Sequence, residues 1–297
     1  MDQPPRVEQP PATTCYRHPD RVTGLRCSRC GRPICGECAV PAAVGQLCPD
    51  DARDRTRVRR LGERDRPVIT LALLAINTVM LVIEAVMSGG AAGLLEPSVT
   101  ALCRLGALNG PAIAQDGQYW RLLTVMVLHA GVIHWAFNSY ALYIFGPLLE
   151  SLLGRVRFLA LYVGSGLAGA GASLAFSHTQ LGVGASGAIF GLLGALVAFF
   201  YRRREMGGRA PLQNLLVVLA FNLFIGFRVA NVDNFAHGGG FIAGLLAMAL
   251  LDLGPKGRDP ASRALQYGAL ALPFVLGIAL TAFAVGNVPA GPSCAGV

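Results

Sequence analysis

Two residues in apolar surroundings could do chemistry in this 297-residue chain. Ser186 stands in Gly184-Ala185-Ser186-Gly187, and His237 stands in Ala236-His237-Gly238-Gly239-Gly240. Each opens a long apolar run. A serine among small residues is ordinary in a membrane helix. An ionisable histidine at the same depth is costly and marks function by default. As chemical types the pair are a nucleophile and a general base. Two more donors precede them. His134 and Asn138 are four residues apart, so on a helix they share one face. Both carry side-chain N–H groups suited to a developing oxyanion, as does the backbone N–H of Ser186 at a helix start. His129, five residues before His134, falls off that face and is expected to be a structural hydrogen-bonder near a loop.

A second constellation lies near the N-terminus. Six of the eight cysteines fall between residues 15 and 48. They form the pairs Cys15-x2-His18, Cys27-x2-Cys30 and Cys35-x2-Cys38, and Cys48-x2-Asp51 completes the series. Asp50 is an alternative to Asp51 as the last ligand. Eight ligands suffice for two tetrahedral zinc ions, because two thiolates of one tight turn reach a single cation. So short a segment has no real hydrophobic core, and metal would supply its folding energy. Disulfides are the weaker reading, since the charge pattern below puts the segment in a reducing compartment. Cys103 and Cys294 lie outside the module and are read as bystanders. A disulfide between them is expected only if both face the oxidising side.

The elements that must position these groups follow from composition. Hydrophobic residues make up 53% of the chain and charged residues 14%, against roughly a quarter charged in soluble domains. That balance points to an all-α polytopic membrane protein. Apolar runs of spanning length lie near 67–88, 131–152, 156–176, 186–202, 211–227, 234–253 and 265–286. The net charge of +8 comes from arginines beside these runs, not interleaved with aromatics, so it encodes topology rather than nucleic-acid binding. Arginines crowd the linker before the first span, then Arg155 and Arg157, Arg202 to Arg204 with Arg209, and Lys256, Arg258 and Arg263 mark alternate loops. The positive-inside rule then predicts a cytoplasmic N-terminus and an extracytoplasmic C-terminus in a cell membrane. Ser186 and His237 both fall at the outer ends of their spans. No inverted repeat suggests a transporter. The expected organisation is a disordered leader over 1–14, a zinc module over 15–51, a basic linker over 52–66, a membrane domain over 67–286 and a short outer tail over 287–297.

The cysteine module resembles a B-box zinc finger. That resemblance implies that Cys15, His18, Cys35 and Cys38 share one ion, while Cys27, Cys30, Cys48 and Asp51 share the other. The membrane portion resembles the rhomboid intramembrane serine proteases. The matching pieces are Tyr119-Trp120-Arg121-Leu122-Leu123-Thr124, His129-x4-His134-x3-Asn138, Gly146-Pro147-Leu148-Leu149-Glu150-x3-Gly154, Gly184-Ala185-Ser186-Gly187-Ala188-Ile189-Phe190 and Ala236-His237-x2-Gly240-x3-Gly244. The resemblance implies a six-helix core, here followed by a seventh span, and a Ser186–His237 dyad with no third acid. Substrates would be transmembrane proteins cut near the top of a membrane helix. Trp120 and Arg121 would stabilise the first external loop, and Glu150 and Gly154 would be structural. The competing reading is a non-catalytic binder of membrane helices, with the zinc module as adaptor. For the module, the expected roles are to bind a cytoplasmic partner or a substrate tail, or to steady the N-terminus.

Overall fold

The computed structural model describes residues 13–28, 30–42, 45–53, 66–177, 181–229, 232–253, 260–289 and 291–294. Most of the expected leader and linker, together with Lys256 and Arg258, lies outside the described residues. The chain divides into two compact units, residues 1–63 and 64–297.

In the first unit, β1 (Thr14–Cys15) pairs antiparallel with β2 (His18–Val22), and β3 (Val40–Pro41) with β4 (Gln46–Leu47). A single helical turn, α1 (Pro49–Arg53), follows. Its buried centre is Ile34 together with Cys15, Cys27, Cys35, Cys38 and Cys48. One aliphatic residue among five cysteines is no hydrophobic core. Units of this size usually need metal or disulfides to fold.

The second unit is helical throughout. It begins with α2 (Val68–Met87) and continues through four short helices, α3 (Ala91–Leu95), α4 (Val99–Leu105), α5 (Gly110–Ala114) and α6 (Arg121–Thr124). The long helices α7 (Val132–Leu153), α8 (Arg155–Phe176), α9 (Ser186–Arg202), α10 (Arg209–Arg228), α11 (Asn234–Leu253) and α12 (Pro260–Val285) complete it. By length and composition α2, α8, α10, α11 and α12 each suffice to cross a membrane. The segment Arg121–Val127 bends 90° into α7, and together they make a sixth candidate span. At 17 residues α9 is short for a span. The protein is therefore a multi-pass membrane protein whose long helices lie over the expected apolar runs. The largest difference is at α12, which starts at Pro260 rather than near 265. Proline is pre-organised for the first helical turn, and the polar turn holding Ser262 and Arg263 carries too little hydropathy to be read as part of a span.

The helices pack through small residues. α8 is the central helix, and Gly164, Ser165, Gly166, Ala168, Gly169, Ala170, Gly171, Ala172 and Ser173 are buried along it. α12 lies close against it: a Cβ on Gly277 would sit 2.8 Å from the Leu167 carbonyl carbon. Between membrane helices such close backbone approach supplies the packing that water cannot drive. Polar locks hold the ends. Glu150 of α7 accepts from Ile69 N, Thr70 N and Thr70 Oγ1 at 3.0, 2.9 and 2.8 Å. It thereby caps the start of α2, whose own N-cap is Pro67 and offers no side-chain bond. Arg203, just past α9, grips Asp252 of α11 with two N–H···O bonds of 2.5 and 2.9 Å. This fork fixes the two helices relative to each other at the ends remote from Ser186 and His237.

Candidate active site

Ser186 is the first residue of α9, and that helix has no side-chain N-cap. Its first N–H groups are therefore free to donate. The chain enters α9 through Gly184 at φ +136°, a backbone shape that favours glycine. Two strands of support hold the turn. Gly184 N donates to Val125 O at 2.9 Å, and Leu108 and Gly182 exchange N–H···O bonds of 2.8 and 2.9 Å. The loop before α7 thus grips the turn that leads into Ser186 by its main chain.

His134 and Ser186 both lie beside Gly184. A Cβ on Gly184 would lie 3.0 Å from His134 Nε2 and 3.4 Å from Ser186 Oγ, so the bare glycine keeps open the space between them. The Ala130 N–H donates to His134 Nδ1 at 3.2 Å. An accepting Nδ1 puts the imidazole proton on Nε2, which makes the edge beside Gly184 a donor. Asn138 is buried one turn on, but one of its amide protons goes to its own helix, at His134 O, 3.0 Å away. The second amide proton remains for a ligand. His134 and Asn138 share a helix face, and the histidine borders Gly184 in the turn ahead of Ser186.

His237 lies in the first turn of α11, with its ring stacked on Phe190 of α9 at 4.1 Å between centroids and 7° between planes. Its Nδ1 is buried and has no hydrogen-bond partner among the described residues. Among the described residues no hydrogen bond joins Ser186 Oγ to His237. Resting sites often hold such pairs more loosely than reacting ones. What brings them to the same end is glycine packing. A Cβ on Gly240 would sit 1.9 Å from Gly187 O, one on Gly244 1.9 Å from Gly191 O, and one on Gly187 3.5 Å from Ala236 O. A cavity of about 40 Å³ adjoins Ser186, lined by Gly184, Met126, Gly166, Asp233 and Ala236 among others. It has room for about one water. A larger groove of about 350 Å³ between α8 and α12, lined by Val156, Tyr267 and Phe274, shares no residue with the site.

Asp233 escaped the sequence reading. Its Oδ1 accepts from Ala236 N at 2.9 Å, Ser173 Oγ of α8 donates to its Oδ2, and its main-chain O accepts from His237 N at 3.2 Å. It caps α11 and ties the His237 turn to the central helix. The available signal was an aspartate just ahead of a helix start. Its partner Ser173 could not be read from spacing. His129 is a structural hydrogen-bonder near the loop, as expected, and bonds through its main chain, donating from N to the buried Glu84 Oε1 at 2.9 Å. A correction concerns Cys103 and Cys294. They are not bystanders but form a disulfide. Arg121, stacked at 4.7 Å on Trp120, donates to Cys103 O and Ala107 O at 2.9 Å each.

The other constellation forms two clusters able to hold metal ions, Cys15/His18/Cys35/Cys38 and Cys27/Cys30/Cys48/Asp51. In the first, His18 Nδ1 lies 3.8, 3.4 and 3.5 Å from the Cys15, Cys35 and Cys38 sulfurs. A tetrahedral zinc with bonds near 2.0–2.3 Å has ligand-to-ligand edges of roughly 3.6 Å, so the set fits. In the second, Cys30 and Cys48 sulfurs stand 3.8 Å apart, and Asp51 Oδ2 lies 3.1 and 3.2 Å from Cys27 and Cys48. Asp50 points elsewhere, accepting from Tyr16 OH at 2.9 Å and from Arg32 at 3.3 Å. The thiols of the first set divide: despite burial, backbone N–H groups and His18 bring Cys15 down to about 6 and Cys35 below the usual thiol value, while burial and those two sulfurs push Cys38 up to about 11. In the second set, bonding to Asp51 pushes Cys30 up to about 12. A divalent cation takes the place of the protons that remain.

Residues 116–252 match the Rhomboid domain family. The chain is 39% identical over 194 residues to "Rhomboid protease GluP" of Bacillus subtilis (strain 168), covering 65% of this chain and 36% of that protein. It is 39% identical over 132 residues to "Putative rhomboid protease YdcA" of the same organism, covering 44% and 66%. It is 38% identical over 180 residues to "RHOMBOID-like protein 6, mitochondrial" of Arabidopsis thaliana, covering 60% and 58%. The matched stretches thus span between 36% and 66% of these relatives' own lengths.

Proposed function

Because the chain belongs to the rhomboid family, we propose that it is an intramembrane serine endopeptidase that cuts the transmembrane segments of other membrane proteins. The observation that carries this reading is that His134 Nε2 and Ser186 Oγ both border the space over Gly184, with His237 at the head of the adjoining helix. Ser186 Oγ attacks the scissile carbonyl while His237 Nε2 takes the hydroxyl proton. The carbonyl oxygen becomes an oxyanion held by Ser186 N–H, His134 Nε2–H and the second Asn138 amide proton. His237 then passes its proton to the leaving amine, the C–N bond breaks and an acyl-serine remains. Water gives a proton back to His237 and attacks the ester, which frees the new carboxyl end and restores the serine. Phe190 keeps the imidazole plane fixed throughout by stacking. The four-ligand sets Cys15/His18/Cys35/Cys38 and Cys27/Cys30/Cys48/Asp51 would each hold a zinc ion, which would give the N-terminal unit its fold and would take no part in these steps. By the positive-inside pattern that unit faces the cytoplasm and the active site opens on the other side.

A fluorophosphonate probe tests the reading. The folded full-length protein should become labelled, with the adduct on Ser186. A folded protein that never labels removes the enzyme reading and leaves a membrane-helix binder. Asn138→Ala is expected to lower turnover about 100-fold with little change in KM, the loss typical of one oxyanion donor. An unchanged kcat would take Asn138 out of the site. Chelation makes a separate prediction. Removing the metal should unfold residues 15–51, seen as newly exposed, alkylatable thiols, while the labelling rate at Ser186 stays the same. Loss of labelling on chelation would show that the two units are coupled.

A further inference from the structure

The last described residues of the chain are strapped onto the first extramembrane loop. Cys294 is bonded to Cys103 at the end of α4. Three hydrogen bonds run alongside. Cys294 N donates to Asn109 Oδ1 at 3.2 Å, Asn109 Nδ2 donates to Pro292 O at 3.4 Å, and Ser293 Oγ donates to Asp116 Oδ2 at 2.5 Å. Asn109 is also the N-cap of α5, its Oδ1 accepting from Ala112 N at 2.9 Å. The sulfurs are buried with Ala112, and Leu181 packs against them. The strap therefore clamps the residues that flank Leu108 on both sides. Leu108 is the residue that exchanges two main-chain bonds with Gly182, and both line the cavity beside Ser186. Arg121 adds a second tether to the same segment through Cys103 O and Ala107 O.

We propose that the Cys103–Cys294 disulfide positions the nucleophile, so that Ser186 is fully reactive only while this bond is closed. The mechanical path is short: Cys294 to Cys103 and Asn109, then Leu108, then Gly182, then Gly184 and Ser186. Without the covalent tie, the strap is held to the loop by individual hydrogen bonds, two exposed and one half-buried, each of which opens far more readily than a covalent bond. The Leu108–Gly182 pairing then frays with the loop. In chemical terms, two thiols of an external dithiol reduce the bond to Cys103–SH and Cys294–SH and leave as one disulfide. Closing it again passes two electrons and two protons to an external disulfide. The inference rests on the serine-protease reading and on an oxidising compartment for this face.

The test uses the full-length protein in lipid vesicles. Opening the bond with a dithiol, with the free thiols counted by mass, should slow fluorophosphonate labelling at Ser186 about tenfold. That is less than the ~100-fold that a full 1 Å misplacement can cost. Reoxidation should restore the original rate, which damage to the fold would not allow. The double variant Cys103→Ser, Cys294→Ser should label slowly and be indifferent to the dithiol. Amide hydrogen exchange supplies a readout that needs no catalysis: the Leu108 and Gly182 N–H groups should lose protection on reduction while those of α8 keep theirs. Equal labelling rates in the open and closed forms, or a double variant as fast as the unaltered protein, would overturn the proposal. So would unchanged exchange at Gly182. A closed form that never labels, with exchange responding as described, would instead refute the protease reading and leave the brace standing.

Discussion

Ser186→Ala is expected to abolish turnover, by a factor of about 10⁴ to 10⁶, while leaving the fold intact. Nucleophile removal in serine proteases costs on that order, because the remaining groups hold the carbonyl but have nothing to attack it with. The substitution deletes one oxygen from a half-buried position at the head of α9, and among the described residues no hydrogen bond is lost with it. Thermal stability should therefore match the unaltered protein, and binding of a transmembrane substrate should persist. The informative measurement pairs cleavage of a single-pass membrane substrate in vesicles with co-purification of that substrate. Loss of both would mean that Ser186 supports structure. Retention of cleavage would rule out the dyad altogether. With substrate trapped uncut, comparison of the membrane proteome with and without Ser186→Ala identifies the released ectodomains.

The second large effect concerns two glycines that touch nothing chemical. Gly240→Ala places a methyl group 1.9 Å from Gly187 O, and Gly244→Ala does the same against Gly191 O. In both cases the obstacle is main chain, so no rotamer change gives relief. α9 and α11 must part by about 1 Å or more. Overpacking of this kind costs about 1–3 kcal/mol and sometimes more. The kinetic cost is larger, because Ser186 rides on one helix and His237 on the other, and a shift of about 1 Å can cost ~100-fold. Each substitution should therefore lower cleavage about 100-fold at temperatures where the protein remains helical. Gly268→Ala on α12 is the control, since its Cβ meets nothing within 4 Å. It should leave activity untouched and gain up to about 1 kcal/mol from helix propensity. Equal activity for Gly240→Ala and Gly268→Ala would show that close α9–α11 contact is not what aligns the pair.

The readable parts of this molecule were those in which local sequence carries the physics. Hydropathy over twenty residues places a span, because lipid leaves the backbone no partner outside its own helix. Two-residue spacing of Cys and His locates the metal sets, since each pair belongs to one turn. Even there, the choice of Asp51 over Asp50 waited for the fold, where Tyr16 and Arg32 claim Asp50. The unreadable parts are long-range. Cys103 and Cys294 are 191 residues apart, and only the return of α12 to the loop side brings them together. Asp233 is visible as a helix cap, but Ser173, which anchors it, sits 60 residues earlier on another helix. The Leu108–Gly182 bridge is main chain to main chain, so no side chain announces it. His129 was readable as a structural hydrogen-bonder, but not its partner, because Glu84 lies 45 residues earlier and takes the backbone N–H.

The strap also bears on how the protein is made. Cys103 precedes all but one of the long helices, and Cys294 follows the last of them. Synthesis runs from the N-terminus, so the bond cannot close until α12 has been threaded and its tail delivered to the face that holds the loop. A chain with a helix inserted upside down, or with α12 still waiting, leaves both sulfurs as thiols. Closure thus works as a molecular receipt for completed topogenesis. A thiol count on newly made chains would separate finished molecules from those the insertion machinery has yet to release.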